Sequence, residues 1–540
     1  MTHYSKKTKS GSRNWIPATM ALVLAFGVLI GIQFGKDRAS ITVINQESSE
    51  QGLIVGKVDE LIRYIDAKYV EDLERDTLIN GAINRVLSSL DPHSSYIDSR
   101  RLYQIENRLN GSYVGIGVEF VLRNDSILVL DLPGDGPALD AGLEIGDRIL
   151  SLDGNMVSGA GLSMDEIEDL FKGEANTKLS ITALSSAGQA KEISLKRASI
   201  AIPSVDQGIM VDPTTGYIKI NRFAQKTYFE FMEQLDSMSQ LGLRHLIIDL
   251  RDNSGGYLTQ ATKILDQLFK REGELLVYTE GRRTSRNEYK TTGRNLFDVD
   301  QVAILINEGS ASASEIIAGA IQDNDRGIIL GQRSFGKGLV QEQYLLSDGS
   351  ALRLTVAKYY TPSGRSIQRA YSDLEDYNDG PNRGADSLDL KIENDSFKYY
   401  TKNGREVYSE GGIMPDVLIE ESSEMNYPLV SRTSFNLFYA LNKTLVDGQR
   451  ELIEGAADQE LTVPESIVSA YQFFSAKEEG DSASIAPLAE TDKMELYYFM
   501  VGRLQGESLS NSLRTEQDEM VAKAVELFAN EEEMDKLLGY

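Results

Sequence analysis

Apolar and polar positions change texture repeatedly along this chain, and each change predicts a different kind of element. Lys6, Lys7, Lys9 and Arg13 open it without an acidic neighbour, and an uncharged stretch from Trp15 to Gly35 follows. The run Ile16–Phe34 is long enough to cross a hydrocarbon core as a helix at roughly 1.5 Å per residue. It predicts a transmembrane anchor or signal segment over 15–35, behind a basic tail over 1–14. A cleaved signal peptide is the alternative, but no clean Ala-x-Ala follows the run. The positive-inside rule puts Lys6–Arg13 in the cytoplasm and everything after Lys36 outside. In a bacterium that places the bulk of the chain in the cell envelope, on the periplasmic side of the inner membrane.

After a polar link, Ser40–Gln51, the stretch Leu53–Leu90 reads as helical. Val58, Leu61, Ile62 and Ile65 recur at i, i+3, i+4 and i+7, which is one helix face. It ends in the turn Asp91-Pro92-His93-Ser94, since proline disfavours helix at the residue before it. This gives an N-terminal helical module over 52–100. Over 112–197 the pattern becomes short strands with glycine turns (Val114–Val121, Ile127–Asp131, Arg148–Leu152, Leu179–Ala183, Glu192–Lys196) around one helix, Met164–Phe171. From 200 to 421 strand and helix alternate: Tyr217–Arg222, Lys226–Met238, Leu243–Leu250, Tyr257–Phe269, Val302–Ile306, Ser314–Gln322 and Gly327–Leu330. Alternation of this kind predicts an α/β sheet with functional loops at strand ends. Residues 422–540 read as helical and acidic, with a polar break near Ala476–Ser484.

Length fits this multidomain division, since 540 residues at roughly 100–200 per domain make three or four domains. Charge removes whole classes of function. With 55 Lys and Arg against 82 Asp and Glu, the net charge is −27, which excludes a nucleic-acid binder dependent on a cationic face. There is no cysteine, hence no disulfide, thiol nucleophile or Cys-ligated metal. Only His3, His93 and His245 could serve as a histidine base, and a multi-His zinc site is nearly excluded. No metal or other cofactor is expected.

Two loops carry candidate chemistry. Gly115-Ile116-Gly117-Val118 is a Gly-x-Gly-apolar loop, which points successive backbone N–H groups into one concavity suited to a carboxylate. The strand after it could then accept an extended peptide as an extra strand; a plain turn is the bland reading. Pro137-Ala138-Leu139-Asp140-Ala141-Gly142-Leu143, Gly146-Asp147-Arg148-Ile149-Leu150 and Asp153-Gly154 resemble the PDZ-domain pattern over nearly the whole module. That resemblance implies binding of polypeptide C-termini by Gly115, Ile116, Gly117 and Val118.

The second loop, Asn307–Glu315, holds Ser310, Ser312 and Ser314 among small residues, as an accessible nucleophile requires. Ser312-x-x-Glu315 is equally a capping box for the helix that follows. No histidine offers an evident base: His3 precedes the anchor, His93 lies in a turn of the N-terminal module, and His245 starts a buried strand. A lysine can serve if burial lowers its pKa from roughly 10.4 to roughly 7, a cost of about 4 kcal/mol. Lys337 in Ser334-Phe-Gly-Lys-Gly-Leu-Val-Gln341 has glycine and apolar neighbours, and Gln341 is an uncharged group able to orient it. On a straight strand the two would lie about 13 Å apart at roughly 3.3 Å per residue. A bend at Gly338 or a helical turn is therefore needed.

Ser312-Ala-Ser-Glu315, Phe335-Gly-Lys337-Gly and Gln341 resemble the C-terminal processing peptidases, or tail-specific proteases. So do Leu90-Asp-Pro-His-Ser94, Asp249-Leu-Arg-Asp-Asn-Ser-Gly-Gly256, Tyr360-Thr-Pro-Ser-Gly-Arg-Ser-Ile-Gln368 and Gly412-Ile-Met-Pro-Asp416. The resemblance implies a crotonase/Clp-like α/β core, a serine endopeptidase activity near protein C-termini, and substrates with unstructured tails. It implies Ser312 as nucleophile, Lys337 as base and Gln341 as its orienter. Backbone N–H groups of Gly255 and Ala313 are the expected oxyanion hole. The polar stretch 370–411 and the acidic C-terminal region depart from a minimal family core, and the latter is a candidate for adaptor recruitment or self-association. Two rivals remain. Gly331-x4-Gly336-Lys337-Gly338 nearly spells a phosphate-binding P-loop but lacks its hydroxyl and its helix. A catalytically silent, membrane-tethered PDZ adaptor could also use the same fold.

Overall fold

The computed structural model describes residues 52–134, 136–371, 397–409, 411–419, 430–450, 463–478 and 487–540. The expected basic tail, the apolar anchor, the polar link, most of the 370–411 stretch and most of the break near Ala476–Ser484 lie outside the described residues. Among the described residues no helix is long and apolar enough to cross a membrane. The chain divides into two compact units after Gly81. The helical stretch expected over Leu53–Leu90 is two helices, Gly52–Lys68 and Arg75–Ser88. Tyr69 and Val70 at the break lose side-chain freedom in a helix, and Glu74 receives the Thr77 hydroxyl at 3.0 Å as the second helix starts.

The second unit is built on a six-stranded sheet. Its order is Ile209–Met210, Thr215–Lys219, His245–Asp249, Gln301–Ile306, Ile328–Gly331 and Val417–Leu418, parallel except for the first pair. Side chains alternate between the faces of a strand, and here both faces are covered. Leu246, Ile248, Val302 and Ile304 join a core with Phe231, Ile264 and Ile317 from helices Thr227–Ser239, Leu258–Leu268 and Ala313–Asp323. Ile247, Ala303, Leu305 and Leu330 face the other way, onto Met520, Val521, Ala524, Leu527 and Phe528 of helix Glu519–Phe528. Burial on both faces is why these strands read as continuous apolar runs.

Two further sheets matter for function. An antiparallel sheet runs Ser95–Ile97, Ala351–Tyr360, Glu272–Glu280 and Asn287–Thr292, and Leu339–Leu345 also pairs with Ala351–Tyr360. The other has the order Glu119–Arg123, Ser126–Asp131, Arg148–Leu152, Lys178–Leu184 and Ala190–Lys196, with helix Met164–Phe171 packed on it through Ile167 and Phe171. The single strand expected at Val114–Val121 is broken: Ser112–Gly115 pairs with Ala198–Ala201, and a new strand begins at Glu119. Gly117, at φ +73°, makes the turn between them.

The C-terminal helices hold these parts together. Arg432–Asp447, Glu465–Glu478 and Glu490–Gln505 enclose their own aromatic core of Phe435, Phe438, Tyr471 and Tyr497. Leu128 and Leu130 of strand Ser126–Asp131 pack on Ala440 and Leu437. Arg503 adds hydrogen bonds to Asp131 at 2.6 Å and Asn436 at 2.8 Å.

Candidate active site

The three serines of the 307–315 loop are in different circumstances. Ser310 is fully buried and donates to the Leu250 carbonyl at 2.7 Å; Ser314, also fully buried, donates to the Asn253 carbonyl at 2.8 Å. Ser312 is only half-buried, and its hydroxyl makes no capping bond to the helix it precedes. The helix is capped from the other direction, since Glu315 accepts the Ser312 N–H at 2.8 Å. Ser312 sits at φ +55°, ψ −111°, a strained conformation for a residue with a Cβ, of order 1–3 kcal/mol. The opposing wall is close, because a Cβ on Gly255 would lie 2.8 Å from both Ser312 Cβ and the Ala311 carbonyl.

Glu315 is fully buried and is the junction of the site. One carboxylate oxygen accepts the N–H groups of Ser312 at 2.8 Å and Lys337 at 2.9 Å. The other accepts the Ser334 hydroxyl at 2.6 Å and the Gly336 N–H at 2.7 Å. Burial pushes its pKa above the ordinary carboxylate value, and the four donors limit the rise. On the opposite side, the buried Tyr359 hydroxyl lies 3.1 Å from the Ser312 carbonyl and 2.6 Å from that of Lys337. One carboxylate oxygen and one hydroxyl thus bring the two loops side by side. Sequence reasoning saw Glu315 only as a cap and missed Tyr359, which no local pattern marks.

Lys337 lies just before the strand Leu339–Leu345. Gly336 at φ +89° turns the chain ahead of it, and the strand has a register shift between Val340 and Gln341. Lys337 lies outside the strand and the shift falls between it and Gln341, so the straight-strand separation does not apply. Lys337 Nζ donates to Gln341 Oε1 at 3.0 Å, and Gln341 Nε2 donates to the His93 carbonyl at 2.8 Å. A carbonyl can only accept, so this contact fixes which end of the Gln341 amide faces the lysine. Among the described residues Lys337 forms no ion pair with a carboxylate. Burial, and then the Arg353 guanidinium, lower its pKa, against opposing pulls from Glu315 and Asp91.

The histidines divide sharply. His93, set aside in the sequence as a turn residue, stands beside Lys337; burial and then that lysine push its pKa down to about 4, so it is neutral at pH 7. His245 stacks on Phe528 at 5.3 Å and begins its strand. The serine loop lies beyond the opposite, C-terminal end of the sheet, so His245 is structural.

One expected oxyanion donor is engaged elsewhere. The Gly255 N–H donates to Asn253 Oδ1 at 2.9 Å, which removes it from the hole. The N–H groups of Ala313 and Gly256 donate to no acceptor among the described residues. The P-loop reading also fails on geometry, because the Gly336 and Lys337 amides that would cradle a phosphate already hold a carboxylate. A strand follows them where a P-loop needs a helix.

At the second loop, the N–H groups of Ile116, Gly117 and Val118 have no acceptor among the described residues, while the Ile116 carbonyl accepts the Ala138 N–H. Strand Glu119–Arg123 is the edge of its sheet, with Ser126–Asp131 on one side only. Its Phe120 meets Phe171 of helix Met164–Phe171 edge to face at 5.2 Å. Three unused amides at the head of a free strand edge can take an extended peptide ending in a carboxylate.

Comparison with known proteins agrees with this architecture. The family model for peptidase family S41 matches residues 214–375, that for the PDZ domain residues 114–183, and that for the activating protease CtpB N-terminal domain residues 22–101. The carboxy-terminal-processing protease of Bartonella bacilliformis is 36% identical over 334 residues, covering 61% of this chain and 75% of that one. The carboxy-terminal processing protease CtpB of Bacillus subtilis is 29% identical over 374 residues, covering 67% and 77%. Among solved structures, a photosystem II D1 C-terminal processing protease is similar at 27% identity and a TM-score of 0.35, covering 68% of this chain and 87% of that one. With a PDZ module beside an S41 peptidase core, this chain belongs to the carboxy-terminal-processing proteases, serine proteases that cleave proteins near their C-terminal ends.

Proposed function

We propose that Ser312 is the nucleophile and neutral Lys337 the general base of this protease, with Gln341 orienting the amine. The observation that carries this reading is the pairing of Lys337 with a neutral amide, not a carboxylate, next to a serine whose hydroxyl is not used for capping. Without a fixed negative partner, a buried ammonium loses its proton more easily. The amine takes the Ser312 proton, Oγ adds to the scissile carbonyl, and the tetrahedral oxyanion forms against the Ala313 N–H, with Gly256 as the second donor. Donors of this kind supply about 2.7–4 kcal/mol each. The protonated amine then gives its proton to the leaving nitrogen, and water hydrolyses the acyl-enzyme.

The substrate is a protein with an unstructured tail, its terminal carboxylate held by the amides of the 115–118 loop. The chain's basic start and apolar run support an inner-membrane anchor, with the peptidase on the periplasmic side. The test is proteolysis of an unstructured protein by the wild type, Ser312→Ala, Lys337→Ala, Lys337→Arg and Gln341→Ala, each checked for folding by circular dichroism. Ser312→Ala and Lys337→Ala should be inactive, and so should Lys337→Arg, because guanidinium stays protonated. Gln341→Ala should retain a fraction of the rate. Substantial cleavage by the arginine variant would remove Lys337 as base.

A further inference from the structure

The turn Asp91–Ser94 is a sequence motif to which the mechanism assigns no role, and it lies against the base. Asp91 accepts the N–H groups of His93 and Ser94, each at 2.8 Å, and the Ser94 hydroxyl at 2.7 Å. It also accepts the Thr355 hydroxyl at 3.2 Å, while the Ser94 hydroxyl accepts the Thr355 N–H at 3.2 Å. Thr355 is the residue paired across the strands with Gln341, at the register shift. One carboxylate thus folds the turn on itself and pins it opposite the orienting glutamine. The product of that folding is the position of the His93 carbonyl, which receives Gln341 Nε2.

We infer that Asp91 is a positioning residue for the base: it sets the His93 carbonyl, the carbonyl sets the Gln341 amide, and the amide aims the Lys337 amine at Ser312. This inference rests on Lys337 being the base. The amine nitrogen has a single lone pair to offer the serine proton, so a wrong rotation about its stem loses the reaction without losing the substrate. A displacement of about 1 Å in such a group can cost 10²-fold in rate. Asp91 also acts through its charge. The charged and titratable groups facing Lys337 are Glu315 from the nucleophile helix, Arg353 from the paired strand, and Asp91 and His93 from the turn. Burial, and then Arg353, drive the proton off Lys337; Glu315 and Asp91 hold it.

The experiment compares kcat and KM against pH for the full chain carrying Asp91→Asn, Asp91→Glu or Ser94→Ala, with Lys337→Ala and Gln341→Ala alongside. For Asp91→Asn, kcat should fall 10- to 100-fold with KM within twofold. The rising limb of the profile, set by loss of the Lys337 proton, should move to lower pH, since a negative charge beside Lys337 is gone. Asp91→Glu keeps the charge and shifts the turn, so kcat falls but the limb stays. Ser94→Ala should give a smaller loss in kcat with the same KM. Should Asp91→Asn fail to fold, Thr355→Val replaces it, with a several-fold loss in kcat at unchanged KM as the expected result. Wild-type kcat and an unmoved limb in the foldable variants, with Lys337→Ala inactive, overturn the role of Asp91 and leave the base in place. Activity in Lys337→Ala overturns the base itself.

Discussion

Replacing Glu315 with glutamine changes one atom at the junction of both active loops, and its cost can be worked out contact by contact. Among the described residues the carboxylate has four donors: Ser312 N–H, Lys337 N–H, Gly336 N–H and the Ser334 hydroxyl. If the new NH₂ took the oxygen facing Ser312 and Lys337, it would oppose two backbone N–H groups that cannot turn away. On the other side it opposes Gly336 N–H and the Ser334 hydroxyl, which can rotate to accept while still accepting the Ile413 N–H. The amide therefore adopts the second arrangement, which orphans the Gly336 N–H and turns the Ser334 hydroxyl hydrogen away from its acceptor. A buried orphan costs about 1–3 kcal/mol, and the remaining bonds fall from charge-assisted strength toward neutral strength, roughly half. Relief of the desolvated charge offsets part of this. A net loss of about 2–4 kcal/mol is expected, or a Tm lower by roughly 5–15 °C for a domain of this size. Activity should respond at the same time. Glu315 raises the Lys337 pKa, so its neutralisation should move the rising limb of the pH–rate profile to lower pH while kcat falls, as the Gly336–Lys337 backbone shifts. Thermal melts and a pH–rate series on the same preparation test both arms. A variant with wild-type Tm and an unmoved limb would show that this carboxylate joins nothing.

Two other substitutions address separate parts of the protein. Arg353 has no carboxylate partner among the described residues and lowers the Lys337 pKa; in Arg353→Gln that pKa rises, so the activity limb should move to higher pH and the rate at neutral pH should drop, with the reverse shift refuting the electrostatic account. Gly117→Ala places a Cβ at φ +73° and 2.9 Å from Gly136 Cα, which costs about 1–2 kcal/mol in backbone strain alone; peptide affinity should weaken about tenfold or more by titration, amidation of the peptide C-terminus should weaken it in the wild type, and equal affinity for free and amidated peptide would make the 115–118 loop merely structural.

The elements that were legible in the sequence are those whose own residues decide them. Leu246–Ile248 and Val302–Ile306 are apolar enough to be strands in any setting, and Met164–Phe171 carries its own Ser163–Glu166 capping box. Helix Ala313–Asp323 was visible for the same reason, although the Ser312 hydroxyl does not cap it. What stayed hidden depends on partners distant in sequence. Tyr359 follows Ser312 by 47 residues and reaches its carbonyl; Gln341 answers to His93, 248 residues earlier. The place of His93 beside Lys337 was hidden for the same reason, since a turn has no visible destination until its strand partner Thr355 is known. Gly255 illustrates a different limit: its place beside Ser312 followed from the motif, but its N–H was claimed by Asn253 two residues away, a local bond that composition cannot announce.

The helix Glu519–Phe528, described above as the cover of one face of the parallel sheet, also imposes a timetable on biosynthesis. Its residues emerge roughly 200 positions after Leu330, a delay of about 10–40 s at 5–20 residues per second. During that interval Ile247, Leu305 and Leu330 lack the helix that completes the cover of that side, and a nascent chain must be kept from aggregating through them. Asp518, which holds Arg251 at 2.6 Å beside the loop that backs Ser312, arrives equally late. Until then, among the described residues, Asp249 is the side chain that holds Arg251. The protease therefore finishes the backing of its own serine loop late in translation, long after Ser312 and Lys337 have been made.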